Sequence, residues 1–166
     1  MEPAASALHE LLRARGATIA VAESLTGGLL GAALTSVAGA SETFRGGITA
    51  YATPAKIALL GVDAALLARS GAVHPEVALA MARGARERFA ATYALALTGV
   101  AGPDRQDGQP PGTVHVALVG PEGEWARSLR LAGDRQAVRG AAVRAAFDLA
   151  VEQVGRSGPR DGKTGP

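Results

Sequence analysis

The sequence predicts an α/β fold, a three-layer α/β/α sandwich around a mixed sheet, within a single domain. Three observations lead there. Short apolar runs of strand length alternate with longer segments whose apolar residues recur at helical spacing. Two strand-like runs flank "PEGE", which adds an antiparallel hairpin to strands otherwise joined by helices. The 166 residues, 48% hydrophobic and 19% charged, suffice for one compact core.

Each element has a local reason. From Ser6 to Arg15, Leu8, Leu11 and Leu12 fall at helical spacing, and Gly16 supplies the stop. "ATIAVAE" at 17–23 reads as a buried strand, "SLTGG" as a Gly-rich turn, and "LLGAALTSVAG" as a helix of small and aliphatic residues. "FRGGITAYAT" at 44–53 is a second strand carrying Gly46 and Gly47, and "TPAKIALLGV" is a short helix with Thr53 at N-cap and Pro54 at N1. "HPEVALAMARGARERFA" is an amphipathic helix opened by His74 and Pro75. "ATYALALTGVAGPD" is a third strand running into a second Gly-rich turn, stiffened by Pro103. "GTVHVALVG" and "EWARSLRLAG" form the hairpin. "DRQAVRGAAVRAAFDLAVEQVG" closes the fold as a long helix, with Asp134 at its N-cap. The segment 156–166, rich in Gly, Pro and charge, is expected to be disordered.

Composition removes several function classes. With no cysteine, disulfide scaffolds, thiol nucleophiles and Cys-ligated zinc are excluded, and His9, His74 and His115 show no metal-ligand spacing. No metal and no cofactor are expected. An aromatic share of 4% offers no stacking surface for bases, and a formal charge of +2 gives no reason to expect a nucleic-acid partner. No apolar run approaches the ~20 residues of a membrane span, so the expected location is cytoplasmic.

Chemistry gathers at three strand ends, where open α/β sheets place their ligands. In "ESLTGG", Ser24 precedes Gly27 and Gly28 at a helix start. Either Ser24 or Thr26 caps that helix, or the free backbone N–H groups and dipole receive an anion; spacing leaves both open. In "YATPAK", Lys56 is the only lysine besides Lys163 among 17 basic residues. It falls in the first turn of a helix, where the dipole disfavours a cation. Burial there would lower the ammonium pKa towards the range a general base needs, and Arg cannot substitute, because guanidinium does not deprotonate. The plain alternative is a solvated or salt-bridged lysine. Tyr51, five residues earlier, either closes the core edge or shares a pocket with Lys56. With Ser24 the three would make a nucleophile, a base and a proton relay. "LTGVAGPD", with Thr98, Gly99 and Gly102, is a ligand cradle or a tight turn. Arg135 and Arg139 lie four apart on one helix face, and Arg139 or its neighbour binds phosphate or sits in a solvated or ion-paired face.

Taken together and in order, "AESLTGG", "GGITAYATPAK", "LLGV", "GAV", "LTGVAGPD", "PGTVHVAL" and "GDRQAVR" resemble the CinA C-terminal domain family from about Leu8 to Glu152. The resemblance implies one α/β/α amidohydrolase domain over residues 1–155. Its implied reaction converts nicotinamide mononucleotide and water into nicotinate mononucleotide and ammonia, within pyridine-nucleotide salvage. The family's catalytic Ser, Tyr and Lys match Ser24, Tyr51 and Lys56. Its nucleotide-lining segments are similar to those holding Thr26, Gly27, Gly28, Gly46, Gly47, Thr98, Gly99 and Gly102, with Arg139 as the phosphate candidate. The partner implied is a small-molecule nucleotide, and the domain is expected to self-associate, a dimer being favoured. The metal-dependent nucleotide hydrolase of longer CinA proteins belongs to a separate N-terminal domain, which this chain is expected to lack. Many relatives read S-N-E-A-K where this chain has "ATPAK", G-A-V-S-E where it has "GAVHPE", and some have Cys at Leu25. The departures at Pro54 and His74 keep an alternative in play: a non-catalytic nucleotide-binding or competence-related interaction module on the same fold.

Overall fold

The computed structural model describes residues 1–156. Elements run in the order α1 (Glu2–Ala14), β1 (Ile19–Glu23), α2 (Leu29–Thr35), β2 (Phe44–Thr49), α3 (Thr53–Leu60), α4 (Ala64–Ser70), α5 (Pro75–Arg88), β3 (Tyr93–Gly99), β4 (Thr113–Gly120), β5 (Gly123–Arg130) and α6 (Arg135–Arg156). A short 3-10 turn, Ala40–Glu42, precedes β2. The strands form one five-stranded sheet in the order β2-β1-β3-β4-β5. β1 runs parallel to both β2 and β3, while β4 runs antiparallel to its two neighbours β3 and β5. The mixed sheet with helices on both faces is the expected single α/β domain.

The two faces differ because the strands alternate. On one, Ile19, Val21, Leu95, Leu97, Val116 and Leu118 pack with residues of α1, α2 and α6, Phe147 among them. On the other, the strand residues are mostly alanine, Ala20, Ala22, Ala94, Ala96 and Ala117, and α5 meets them with Val77, Ala78, Met81 and Ala82. Small residues on both surfaces let α5 lie close to the sheet at interior packing density. Gly84 serves the same closeness against α3, because a Cβ there would lie 1.9 Å from the Leu60 carbonyl oxygen. Buried His9 ties the first layer together: its Nε2 lies 3.0 Å from the Leu34 carbonyl, and its Nδ1 bonds the Thr43 hydroxyl.

Several expectations shift in detail. The N-cap of α3 is Ala52 rather than Thr53, so Pro54 stands at the second helical position and Lys56 at the fourth, still within the opening turn. Proline's fixed φ and missing N–H suit either of the first two positions. α4 was not anticipated, although its signals are present: Asp63 caps it by accepting from Ala65 N–H, and Gly71 ends it at φ 72. The hairpin turn is Pro121–Glu122, between the paired Gly120 and Gly123. Of the expected disordered segment, Arg156 ends α6, and the rest lies outside the described residues.

This topology locates the functional end. The connection leaving β1 leads to α2 on one face, and that leaving β2 leads to α3 on the other. Adjacent parallel strands whose connections part to opposite faces leave a crevice beyond their carboxyl ends. Ser24 and the segment Ala50–Lys56 stand at that crevice.

Candidate active site

Ser24 is the first residue past β1. Its N–H extends the sheet by donating to the Leu97 carbonyl at 3.1 Å, which fixes the backbone from which Oγ projects. The next turn is held from beneath by Glu23. This carboxylate ends a wholly apolar strand, is 2% exposed, and accepts from three backbone N–H groups of the α2 start: Gly28 at 3.0 Å, Leu30 at 3.0 Å and Gly31 at 2.9 Å. Charge-assisted bonds of this kind are the strong ones, and the helix dipole adds to them. The sequence left open whether Ser24 or Thr26 caps this helix start or an anion occupies it; Glu23 fills the position instead.

Lys56 comes from the opposite side of the crevice. Its side chain runs from α3 to Ser24 and is 1% exposed. Nζ lies 3.1 Å from Ser24 Oγ, 2.8 Å from the Ala50 carbonyl and 3.1 Å from the Tyr51 carbonyl. These three acceptors suit both protonation states. As an ammonium, Lys56 donates to all three. As a neutral amine, it gives its two N–H bonds to the carbonyls and turns its lone pair to the Ser24 hydroxyl. Burial lowers its pKa from 10.5 to about 8, with Asp107 pulling weakly the other way. An amine able to lose its proton is thus aimed at a hydroxyl by two backbone acceptors.

Above this pair lies a cavity of about 360 Å³, lined by Ser24, Leu25, Tyr51, the chain from Gly99 to Gln106, and Arg135. The volume falls within the range of small-molecule sites. Tyr51 is 57% exposed at its mouth. Its hydroxyl accepts from Arg135 Nη2 at 2.8 Å, and Arg135 Nη1 donates to the Gly102 carbonyl at 2.8 Å. Arg135 therefore pins two walls of the cavity to the start of α6.

The remaining expected site residues divide by position. Gly99 and Gly102 line the cavity. Arg139 turns to the Ser24 turn itself, donating to the carbonyls of Leu25 at 3.1 Å and Thr26 at 2.8 Å, and to Gln136 Oε1 at 3.0 Å. Gly27 sits beside the Arg139 guanidinium with φ +59, and Gly28, with φ +100, gives its N–H to Glu23. Thr26 is fully buried, and its hydroxyl has no partner among the described residues. Thr98 is buried too, its hydroxyl donating to the Ala72 carbonyl at 2.7 Å. Gly46 and Gly47 lie within β2, where a Cβ would collide with Phe89 and with Val21. The structure brings Ser24, Lys56, Tyr51, Gly99 and Gly102 to one place, Arg139 and the Thr26–Gly28 turn behind it, and Gly46, Gly47 and Thr98 into packing.

Of two further residues at the site, the sequence named Arg135 only as the neighbour of Arg139 and did not single out Glu23. Arg135 stands in the first turn of α6, where a cation is disfavoured, which is the same signal that drew attention to Lys56. Glu23 is a carboxylate at the end of a fully buried strand, a position that requires a partner. Among the described residues no hydrogen bond engages the N–H of Leu25 or of Thr26. Unengaged backbone donors in the turn that follows a serine are groups of the kind that can stabilise an oxyanion.

Comparison with known proteins identifies the family and the fold. The CinA C-terminal domain family matches residues 1–154. A CinA-like protein of Frankia casuarinae is 58% identical over 139 residues, which cover 84% of this chain and 32% of the relative. One from Geobacter sulfurreducens is 49% identical over 144 residues, covering 86% and 35%. The chain thus spans about a third of the length of these curated relatives. Among solved structures, a competence-damaged protein (CinA) superfamily protein from Klebsiella pneumoniae superposes with a TM-score of 0.90 at 33% identity, over 93% of this chain and 97% of that one. The competence/damage inducible protein CihA from Agrobacterium tumefaciens gives 0.88 at 35%, over 93% and 95%.

Proposed function

The chain belongs to the CinA C-terminal domain family, and from that premise we propose that it is an amidohydrolase acting on nicotinamide mononucleotide. The products are nicotinate mononucleotide and ammonia. The observation that carries this reading is the buried Lys56 amine 3.1 Å from Ser24 Oγ, with its two other contacts both carbonyls.

In the proposed reaction neutral Lys56 takes the Ser24 proton as Oγ attacks the carboxamide carbon. The oxyanion is received by the N–H groups of Leu25 and Thr26, in place of the helix-start amides that Glu23 occupies. The C–N bond breaks as a proton reaches the departing nitrogen, delivered from the Lys56 ammonium directly or through the Tyr51 hydroxyl. Tyr51 does this by exchanging its Arg135 contact for the substrate. Water activated by Lys56 then cleaves the acyl-serine and restores both side chains. The free N–H groups of the Gly102 turn and Arg135 are proposed to hold the ribose phosphate, while Arg139 keeps the Ser24 turn in shape. No metal or cofactor enters any step.

Ammonia release from the mononucleotide tests this. Wild type should turn over, Ser24→Ala and Lys56→Arg should not, and full activity in either variant overturns the assignment. The second reading, a nucleotide-binding module without catalysis, draws on the competence/damage names of the relatives; saturable mononucleotide binding without ammonia release selects it. A dimer is proposed on the family's implication, and a cytoplasmic location on the sequence reading. No helix among the described residues is long and apolar enough to cross a membrane; sedimentation of the purified chain tests the dimer.

A further inference from the structure

Another cavity, of about 340 Å³, lies at the β4–β5 corner of the sheet and shares no lining residue with the Ser24 cavity. Its walls include His74, Gln109, Thr113, His115, Ser128 and Arg130. The hairpin register explains the grouping: Thr113 pairs with Arg130 and His115 with Ser128, so their side chains share the sheet face that α5 covers. Farther along that face Ala117 and Val119 lie under α5, and Glu124 is paired to Arg83 of the same helix. α5 begins only at Pro75, however, so the corner holding His115 and Arg130 lies beyond the helix body and is closed by its N-cap His74 together with Val73, Pro75 and Leu129.

The groups facing one another there are basic or neutral donors. His115 Nδ1 meets Ser128 Oγ at 2.8 Å. His74 Nδ1 accepts from Glu76 N–H at 3.2 Å, which leaves its proton on Nε2. Arg130 bonds the Thr113 hydroxyl. From β3 the neighbour is Thr98, whose hydroxyl is given to Ala72, and from the 100–112 connection it is Gln109. Among the described residues no carboxylate is hydrogen-bonded or ion-paired to the side chain of His74, His115 or Arg130. Burial holds the His115 pKa below the ordinary value, and His74 and Arg130 push it the same way. One guanidinium and two imidazoles with no carboxylate bonded to their side chains, around a cavity of small-molecule size, are complementary to an anion.

We propose that this corner is an anion site, separate from the serine centre, which takes a small phosphate-bearing molecule. The Arg130 guanidinium, His74 Nε2–H and the Ser128 hydroxyl contact the phosphate, and His115 takes up a proton as it binds. The sign follows: an anion favours imidazolium over imidazole, so binding tightens as pH falls from about 8 to about 6.

Inorganic phosphate is the probe, and the Cε1–H resonances of His9, His74 and His115, assigned with His→Gln variants, are the readout. None of these residues lines the Ser24 cavity, so phosphate entering that cavity does not report here. The expected result is saturable shifts of His74 and His115 with one common Kd which, expressed per phosphate dianion because phosphate itself takes up a proton across this range, is at least about fivefold tighter at pH 6 than at pH 8, and is weakened about tenfold or more in Arg130→Gln. Arg130 is exposed, so that variant should keep the wild-type melting profile. The proposal is overturned if no saturable shift is seen at pH 6, if Arg130→Gln binds as wild type does, or if chloride at equal ionic strength reproduces the shifts as an adventitious ion.

Discussion

Replacing Lys56 by Met should change how stability depends on pH, whatever the substrate. In the folded chain the Lys56 pKa is lowered from 10.5 to about 8, because burial disfavours the ammonium. In the unfolded chain it returns to 10.5. Between these values the unfolded state binds the extra proton, so folding stability rises with pH through that window. The contribution is absent below pH 8, accumulates as pH rises, and is complete above 10.5, where both states are neutral. The difference corresponds to about 3 kcal/mol. Lys56→Met also leaves the Ala50 and Tyr51 carbonyls without their amine partner, but that loss is constant with pH. Urea unfolding of wild type and variant at a series of pH values from about 7 to 10 separates the two effects. The gap between their unfolding free energies should shift in favour of wild type by about 2 kcal/mol or more across the series. Parallel dependences would refute the reasoning, since they would mean that Lys56 titrates alike in the folded and unfolded chains.

Other perturbations read other parts of the account. Glu23→Gln keeps the shape but sets an amide donor against the Gly28, Leu30 and Gly31 N–H groups; it should cost about 2 kcal/mol in urea unfolding and reduce kcat by displacing the Ser24 turn. Gly84→Ala places a methyl 1.9 Å from the Leu60 carbonyl; α3 and α5 must separate, and calorimetry should show a Tm several degrees lower. Arg135→Gln releases the Tyr51 hydroxyl and the Gly102 carbonyl; steady-state kinetics should show KM rising about tenfold, with a smaller change in kcat.

Much of the framework was legible because its signals are local. β1, β3 and β4 are continuous apolar runs buried on both faces, and α5 and α6 carry helical spacing over many residues. Lys56 stood out for a physical reason that survives in three dimensions: a cation in the opening turn of a helix, of the one cationic type that can become a base. What stayed hidden depends on chain return. Glu23 caps α2 from five to eight residues away, outside the spacing of ordinary N-caps, so "ESLTGG" left a Ser24 or Thr26 cap and an anion cradle both open, although its own carboxylate fills the place. The segment after β3 folds back over Ser24, and Arg135 reaches Tyr51 across 84 positions of sequence. Neither contact follows from any periodicity. Thr98, Gly46 and Gly47 are the opposite case, polar or small residues at strand ends and edges whose positions serve packing.

The pH dependence of kcat/KM for ammonia release from nicotinamide mononucleotide tests the central claim most directly, that neutral Lys56 activates Ser24. With its pKa at about 8, about a tenth of Lys56 is neutral at pH 7, roughly 300-fold more than for an ordinary lysine. The rate should therefore climb tenfold per pH unit below about 8 and level off above it. A profile flat from about pH 6 to 9, in an enzyme that turns over, would contradict the account.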